Sequence, residues 1–459
     1  MKSKEISMVS GPIFKSLLVL TLPIMISTVL ASVFNIIDMT VLKQFHSGNG
    51  YAVGAVGVCG PLITLITGVF TGCSTGVNVA TSKRLGKGDK ELIDRVAGTS
   101  LLLFIVLGVF LMIVGILGAK TFLIMVNCDE LLLDDAALYF KLYFLGFPLS
   151  MVYTACAAIL RASGDARRLM IYSILSSFLK IIFTLIFVAV FKMGIVGLAL
   201  ATIVTWVILC VLGLIALTNG SSSVRIKFKK LRFYKEELKD ILIVGIPTGI
   251  QTGLYSYANV IISSAVNSYG PDATTGISIA NTFDGILYNI SIAPATAMLA
   301  YVSQNIGAGN LERAKKAMKD AMLISFMFGS VLGGLSALLS GQLSSIMSDK
   351  PEIIAYSQQK MILISSTYFL CGIERCIGSA LKGLGRPVVP MVTTMLFMCL
   401  IRFPWVYFVF PLVPSLTFLY LIWPIGWVLS SLSMLGFLFS AIKQTKIKLQ
   451  EKAKMQEVA

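Results

Sequence analysis

One histidine in 459 residues, with charged side chains held to 13%, leaves little from which to build an enzyme. His46 stands alone in a polar stretch between apolar segments, so neither a Ser/His/Asp site nor a histidine-based zinc site can be assembled. Seven of the eight cysteines (Cys59, Cys73, Cys156, Cys210, Cys371, Cys376 and Cys399) lie in apolar segments, and Cys128 is isolated in a loop. No metal-ligand spacing appears among them. The Gly-rich sequence that cradles nucleotide phosphates is missing too, which leaves an ion gradient rather than ATP hydrolysed by this chain as the energy source. The expectation is therefore a non-enzyme with no catalytic residues, no metal site and no cofactor beyond a coupling ion.

Polar surface is also scarce. Apolar residues make up 56% of the chain and its mean hydropathy is +0.86, too apolar to cover a soluble globule of this length. A bilayer span needs about 20 mostly apolar residues. Twelve stretches qualify, beginning near Phe14, Ala52, Ile93, Ala136, Leu169, Ile195, Ile241, Thr275, Ala317, Ile353, Val388 and Leu416. The first is span-length and lacks a small-residue cleavage site, so no cleavable signal peptide is expected.

The net charge of +16 is explained by topology. With both termini inside, only Lys43, Lys120, Lys192 and Lys350 fall outside. Lys141, Lys180, Lys360, Arg375 and Arg402 fall within or at the edges of spans, and every other Lys and Arg is cytoplasmic. This is the positive-inside bias. The basic stretch from Arg225 to Lys239 then reads as a solvated connector that touches anionic lipid, not as a nucleic-acid site.

Landmarks recur through the chain. Leu22-Pro23-Ile24 is answered by Ile246-Pro247-Thr248 and Asn35 by Asn259, both at an offset of 224. Gly86-Lys87-Gly88-Asp89 is answered by Gly307-Ala308-Gly309-Asn310, and Leu160 to Gly164 by Leu381 to Gly385, at an offset of 221. Such a duplication in a membrane chain suits alternating access by two similar bundles. The fold class expected is an all-α integral membrane protein with twelve transmembrane helices in two pseudo-symmetric six-helix lobes. Residues 1–217 form the N-lobe, 218–240 a basic cytoplasmic linker, 241–442 the C-lobe and 443–459 a cytoplasmic tail. Asp89 and Asn310 follow glycine turns and are suited to cap helices; the charged segments after them are expected to lie along the inner membrane surface.

Three stretches carry a family resemblance that extends over nearly the whole chain: Leu160 to Arg167, Gly194 to Thr202, and Gln304 to Asn310. In this order they resemble the multidrug and toxic compound extrusion (MATE) transporters. The resemblance implies a two-lobe exporter with a central cavity that moves organic cations or other amphipathic compounds outward in exchange for H⁺ or Na⁺.

An ionisable side chain at the bilayer centre costs about 2.5–3.5 kcal/mol on insertion scales and must face partners or water. Asp38 is the leading coupling residue. Thr28, Ser32 and Asn35 form a polar stripe leading to it, and the resemblance implies that Asn35 and Asp38 meet the first-lobe cation-site pattern. In span five the family often has Asn, Asn and Asp where this chain has Ser176, Lys180 and Thr184. Lys180 directed at Asp38 would repel Na⁺ and favour proton coupling. Thr202 matches the family's supporting threonine.

The second lobe offers Gln251, Tyr255, Asn259 and Ser263 as a polar stripe suited to a cavity wall, and Asp284 one turn before Tyr288, a carboxylate and a phenol that could meet an organic cation. Glu374 adjoins Arg375, but adjacent helix positions do not face each other, so Glu374 is expected to neutralise Arg402 or to contact substrate or proton. The function expected is an antiporter of cationic or amphipathic compounds coupled to inward H⁺, less readily Na⁺. The alternatives are a lipid-linked precursor flippase or a dedicated metabolite exporter of the same superfamily. Its partners are a small-molecule substrate and membrane lipid, with no nucleic acid, and it is expected to be a multi-pass monomer of the plasma membrane.

Overall fold

A computed structural model describes residues 6–45, 51–126, 128, 130–219, 223–226, 231–267 and 269–458; the side chains of residues 33–45 and of a few other helical positions, Ser263 among them, lie outside the described set. Helices occupy most of it. In chain order they are α1 (Ile13–Phe45), α2 (Tyr51–Lys87), α3 (Lys90–Met125), α4 (Glu130–Ala162), α5 (Ala166–Thr184), α6 (Gly194–Thr218), α7 (Lys235–Asn267), α8 (Pro271–Gly307), α9 (Leu311–Leu338), α10 (Ser340–Ser345), α11 (Pro351–Ser366), α12 (Tyr368–Gly383), α13 (Val388–Thr394), α14 (Arg402–Pro404), α15 (Leu416–Tyr420) and α16 (Ile422–Val458).

Among the described residues, ten segments are long and apolar enough to cross a membrane, and α11 with α12 forms an eleventh, bent by 46°. The seventh expected span, α7, falls short on hydropathy because Gln251, Tyr255, Ser256 and Asn259 interrupt its apolar run. Large apolar side chains such as Leu117, Leu338 and Phe408 are exposed along the spans, as lipid contact requires.

The chain divides into two compact units: Met1–Ile6 with Val29–Gly245, and Ser7–Thr28 with Ile246–Ala459. Of the three changes of unit, those at 28/29 and 245/246 fall inside helices that carry an internal proline, Pro23 in α1 and Pro247 in α7.

In the first unit α3, α4, α2 and α6 pack around an apolar core, in which Phe140, Phe144, Phe147 and Trp206 form a chain of tilted and edge-to-face ring contacts. Small residues set the helix spacing: a Cβ on Gly115 would lie 2.2 Å from the Phe144 ring, and one on Gly108 would lie 2.7 Å from the Pro148 backbone. In the second unit Gly276 and Gly333 bring α8 and α9 equally close to the carbonyls of Ile353 and Ser365.

The repeat is visible in backbone geometry. Gly88 and Gly309, and likewise Gly164 and Gly385, hold φ of +73°, +78°, +86° and +83°, a left-handed turn that glycine adopts without strain. Asp89 then accepts from the backbone N–H groups of Glu91 and Leu92, and Asn310 from that of Arg313 at 3.0 Å, so both cap as expected. The segments they cap are not separate surface helices, however. They are the first turns of α3 and α9, because the cap and the apolar run follow without a break.

The expected tenth span is broken at Thr367. The Thr367 hydroxyl donates to the carbonyls of Leu363 and Ile364, and Ser366 also donates to Leu363; such back-bonding competes with the helix ladder and bends it. The eleventh is irregular as well. After α13 it runs through π-helical turns at Met395–Leu400 and Trp405–Val409, with Pro404 between them denying the ladder an N–H. The fifth span has a matching π-helical segment, Leu185–Val190, directly after Thr184.

Candidate functional site

The interior of the second unit holds a cavity of about 490 Å³, within the size range of pockets for drug-sized ligands. Its wall is built from α7, α8, the bent α11–α12 pair, the end of α15 and the start of α16. Of the residues expected there, Gln251, Tyr255, Asn259, Asp284 and Tyr288 all line it. Glu374 does not. It is buried behind the wall, where its Oε1 accepts from the Ser430 hydroxyl at 3.2 Å.

The electrostatic arrangement differs from the expectation in two ways. First, the Asp284 carboxylate does not stand open beside Tyr288. Its Oδ2 lies 2.9 Å from Lys360 Nζ, and Lys360 also donates to Asn281 Oδ1. Both members of the pair are buried. A lysine at the middle of a span needs a carboxylate or water, and Asp284 supplies the carboxylate from the facing helix.

Second, Glu374 is paired with Arg375, at 3.3 Å, and not with Arg402. The rule that neighbouring helix positions do not face each other applies to Cβ vectors; the long arginine side chain curls back along its own helix. The Arg375 guanidinium lies over the rings of Tyr255 and Tyr288, 5.1 and 5.8 Å from their centroids. Arg402, fully buried, donates from Nη1 to Asn259 Oδ1 at 2.7 Å. It sits between the rings of Tyr255 and Trp423, at 5.4 and 5.2 Å.

Gln251 is turned to structure. Its Nε2 donates to Thr394 Oγ1 at 2.7 Å and to the Pro390 carbonyl at 3.2 Å, tying α7 to α13 just before the π-helical turn. Tyr368 donates to the backbone carbonyl of Asp284 at 3.2 Å. Lys360, Asn281, Tyr368 and Trp423 were missed by sequence reasoning. Lys360 carried a usable signal, the same intramembrane charge that singled out Lys180.

In the first unit the packed pair α5 and α6 carries Ser176, Lys180, Thr184 and Thr202. Ser176 and Thr184 are buried, and Lys180 is half-buried. The hydroxyl of Ser176 donates to the Ser173 carbonyl at 2.8 Å, and that of Thr202 to the Leu198 carbonyl at 3.0 Å. The side chains of Asn35 and Asp38 lie outside the described residues, as does His46. Among the described residues no group of three or more His, Cys, Asp and Glu could hold a metal ion.

Two helical units, prolines within α1 and α7, and a polar cavity lined by buried charges in the second unit are features suited to a secondary transporter. The MatE family profile matches the chain twice, over residues 23–186 and 247–408, and the chain belongs to that family, whose members are transporters and not enzymes. A probable multidrug resistance protein, YoeA of Bacillus subtilis, is 24% identical over 388 residues, 83% of each chain. A FAD transporter of Shewanella oneidensis is 22% identical over 402 residues, covering 86% of this chain and 88% of its own. A solved structure described as an outward-facing multidrug resistance MATE family transporter superposes with a TM-score of 0.88 at 22% identity, over 97% of this chain and 99% of its own. That match supports the twelve-helix fold class read from the sequence.

Proposed function

We propose that this protein is a secondary exporter of amphipathic organic compounds, moved outward by alternating access in exchange for inward H⁺. The observation that carries the reading is the doubled family match over two helical repeats, since two bundles of one design provide the two access states. On this reading the chain is a monomer in the plasma membrane, with both termini cytoplasmic and the basic linker against anionic lipid. The two relatives named above carry different cargo descriptions, so the substrate has to be read from the residues of this chain.

Proton coupling is supported by Lys180, which on α5 stands where the resemblance places a neutral or acidic cation ligand. A fixed ammonium there opposes Na⁺ and leaves H⁺ as the exchangeable ion. We assign the exchange to Asp38, assisted by Asn35, Lys180, Ser176, Thr184 and Thr202. Asp38→Asn keeps the side-chain shape and removes the titrating group. In cells loaded with a fluorescent efflux dye, the variant is expected to insert at normal levels and to lose export, as wild type does when a protonophore is added. Undiminished efflux by a normally inserted variant would remove Asp38 from the coupling site.

A further inference from the structure

We infer that the cavity of the second unit is a binding site for aromatic organic anions. The inference rests on the exporter reading for its biological meaning and names the substrate charge that this reading leaves open.

Charge balance is the first ground. Three buried or cavity-lining cations, Lys360, Arg375 and Arg402, share this region with two carboxylates, Asp284 and Glu374. Lys360 takes Asp284, and Arg375 takes Glu374. Arg402 is left with the neutral amide of Asn259 as its hydrogen-bonded partner, and among the described residues no carboxylate lies within ion-pair distance. A buried guanidinium without a counter-charge is costly, and an anion in the adjoining cavity would supply one.

Unmet hydrogen-bonding groups point the same way. Among the described residues, Arg402 Nη2, Trp427 Nε1 and Tyr420 Oη are buried without a hydrogen-bond partner, and all three can donate. Tyr420 and Trp427 line the cavity, and the two rings that sandwich Arg402, those of Tyr255 and Trp423, line it as well. Two carboxylate oxygens of the region, Asp284 Oδ1 and Glu374 Oε2, are likewise without a hydrogen-bond partner, as is a fourth donor, Arg375 Nε, so donors outnumber acceptors four to two.

Ring faces define the rest of the ligand. Tyr255, Tyr288, Tyr368, Tyr420, Trp423 and Trp427 surround the space, a wall suited to a planar aromatic body. The faces of Tyr255, Tyr288 and Trp423 are already occupied by Arg375, Arg402 and Lys360. An organic cation would compete with these resident cations for the same ring faces, whereas an anion meets them as counter-charges.

The test uses the purified full-length protein in uncharged detergent and three probes of one shape: 2-naphthalenesulfonate, 2-naphthalenesulfonamide and 2-naphthyltrimethylammonium. Affinities are read by calorimetry, and by quenching of tryptophan fluorescence, to which Trp423 and Trp427 at the cavity contribute. The sulfonate is expected to bind at least tenfold tighter than either of the others. Arg375→Gln and, separately, Arg402→Gln are expected to weaken the sulfonate about tenfold or more while changing the sulfonamide less than threefold. Should one variant fail to fold, the other and the charge series on wild type still decide the matter. Binding of the trimethylammonium probe as tight as the sulfonate, or sulfonate binding indifferent to both substitutions, overturns the assignment. An exporter that prefers cations would overturn this inference alone, and an anion-binding protein that drives no gradient-dependent flux would overturn the exporter reading alone.

Discussion

Replacing Lys360 by methionine isolates the central ion pair of the second unit. Methionine keeps much of the aliphatic length of lysine and removes only the ammonium, so packing against Trp423 is largely retained and the effect is electrostatic. Lys360 Nζ and Asp284 Oδ2 are 2.9 Å apart, with the two residues 4% and 8% exposed. At that separation and an effective dielectric near 20 the attraction is about 6 kcal/mol, much of it offset by desolvation. Removing one partner forfeits the attraction and keeps the desolvation of the other, a loss of about 3–5 kcal/mol. Asp284 is poorly placed to recover, because Oδ1 already lacks a partner among the described residues. The double variant Lys360→Met with Asp284→Leu removes both charges and is expected to return to within about 1–2 kcal/mol of wild type. Reversible unfolding in mixed micelles, titrated with sodium dodecyl sulfate, measures all four corners of this cycle. The reasoning is refuted if the single lysine variant lies within 1 kcal/mol of wild type, or if the double variant is as unstable as the sum of the singles.

Other outcomes follow from local geometry. Gly333→Ala would place a Cβ 2.1 Å from the Ser365 carbonyl oxygen, whereas Gly334→Ala meets nothing within 4 Å; melting temperature should fall for the first, by an overpacking cost of about 1–3 kcal/mol, and hold or rise for the second. Arg313 donates to the carbonyls of Met8, Ser10 and Gly11 and to the Tyr301 hydroxyl, so Arg313→Lys, which lacks the guanidinium fork, is expected to speed hydrogen exchange at residues 8–13 while leaving α9 protected. Thr367→Val removes the hydroxyl that bonds back to Leu363 and Ile364, and a spin-label pair across the break should report an angle smaller than 46°.

Solvent, repeat and loop chemistry could be read from residues alone. Hydropathy marks the spans, and glycines at a fixed offset reappear as left-handed turns in front of the caps Asp89 and Asn310. The wall of the second-unit cavity was also legible, because four-residue spacing puts Gln251, Tyr255 and Asn259 on one face whatever the helix packs against. The partner of each charge was not. Sequence gives the depth of Lys360 and Asp284 but not the rotation of α11 against α8, so a contact between residues 76 positions apart leaves no local trace. Arg402 is harder still: its direction depends on π-helical turns after Thr394 and around Pro404, and each such turn rotates everything beyond it. The break at Thr367 hides for a different reason, since Ser366 and Thr367 are compatible with a straight span until their hydroxyls choose backbone carbonyls.

The most direct test of the transport account is flux in proteoliposomes containing only this protein, with H⁺ and Na⁺ gradients imposed separately and the membrane potential clamped. The account predicts movement of an amphipathic naphthalene dye against the direction of H⁺ flow when a pH gradient is applied, and no movement above empty liposomes under a Na⁺ gradient at equal pH. Dye movement driven by Na⁺ at equal pH, or none under either gradient from protein shown to be folded and inserted, would contradict it.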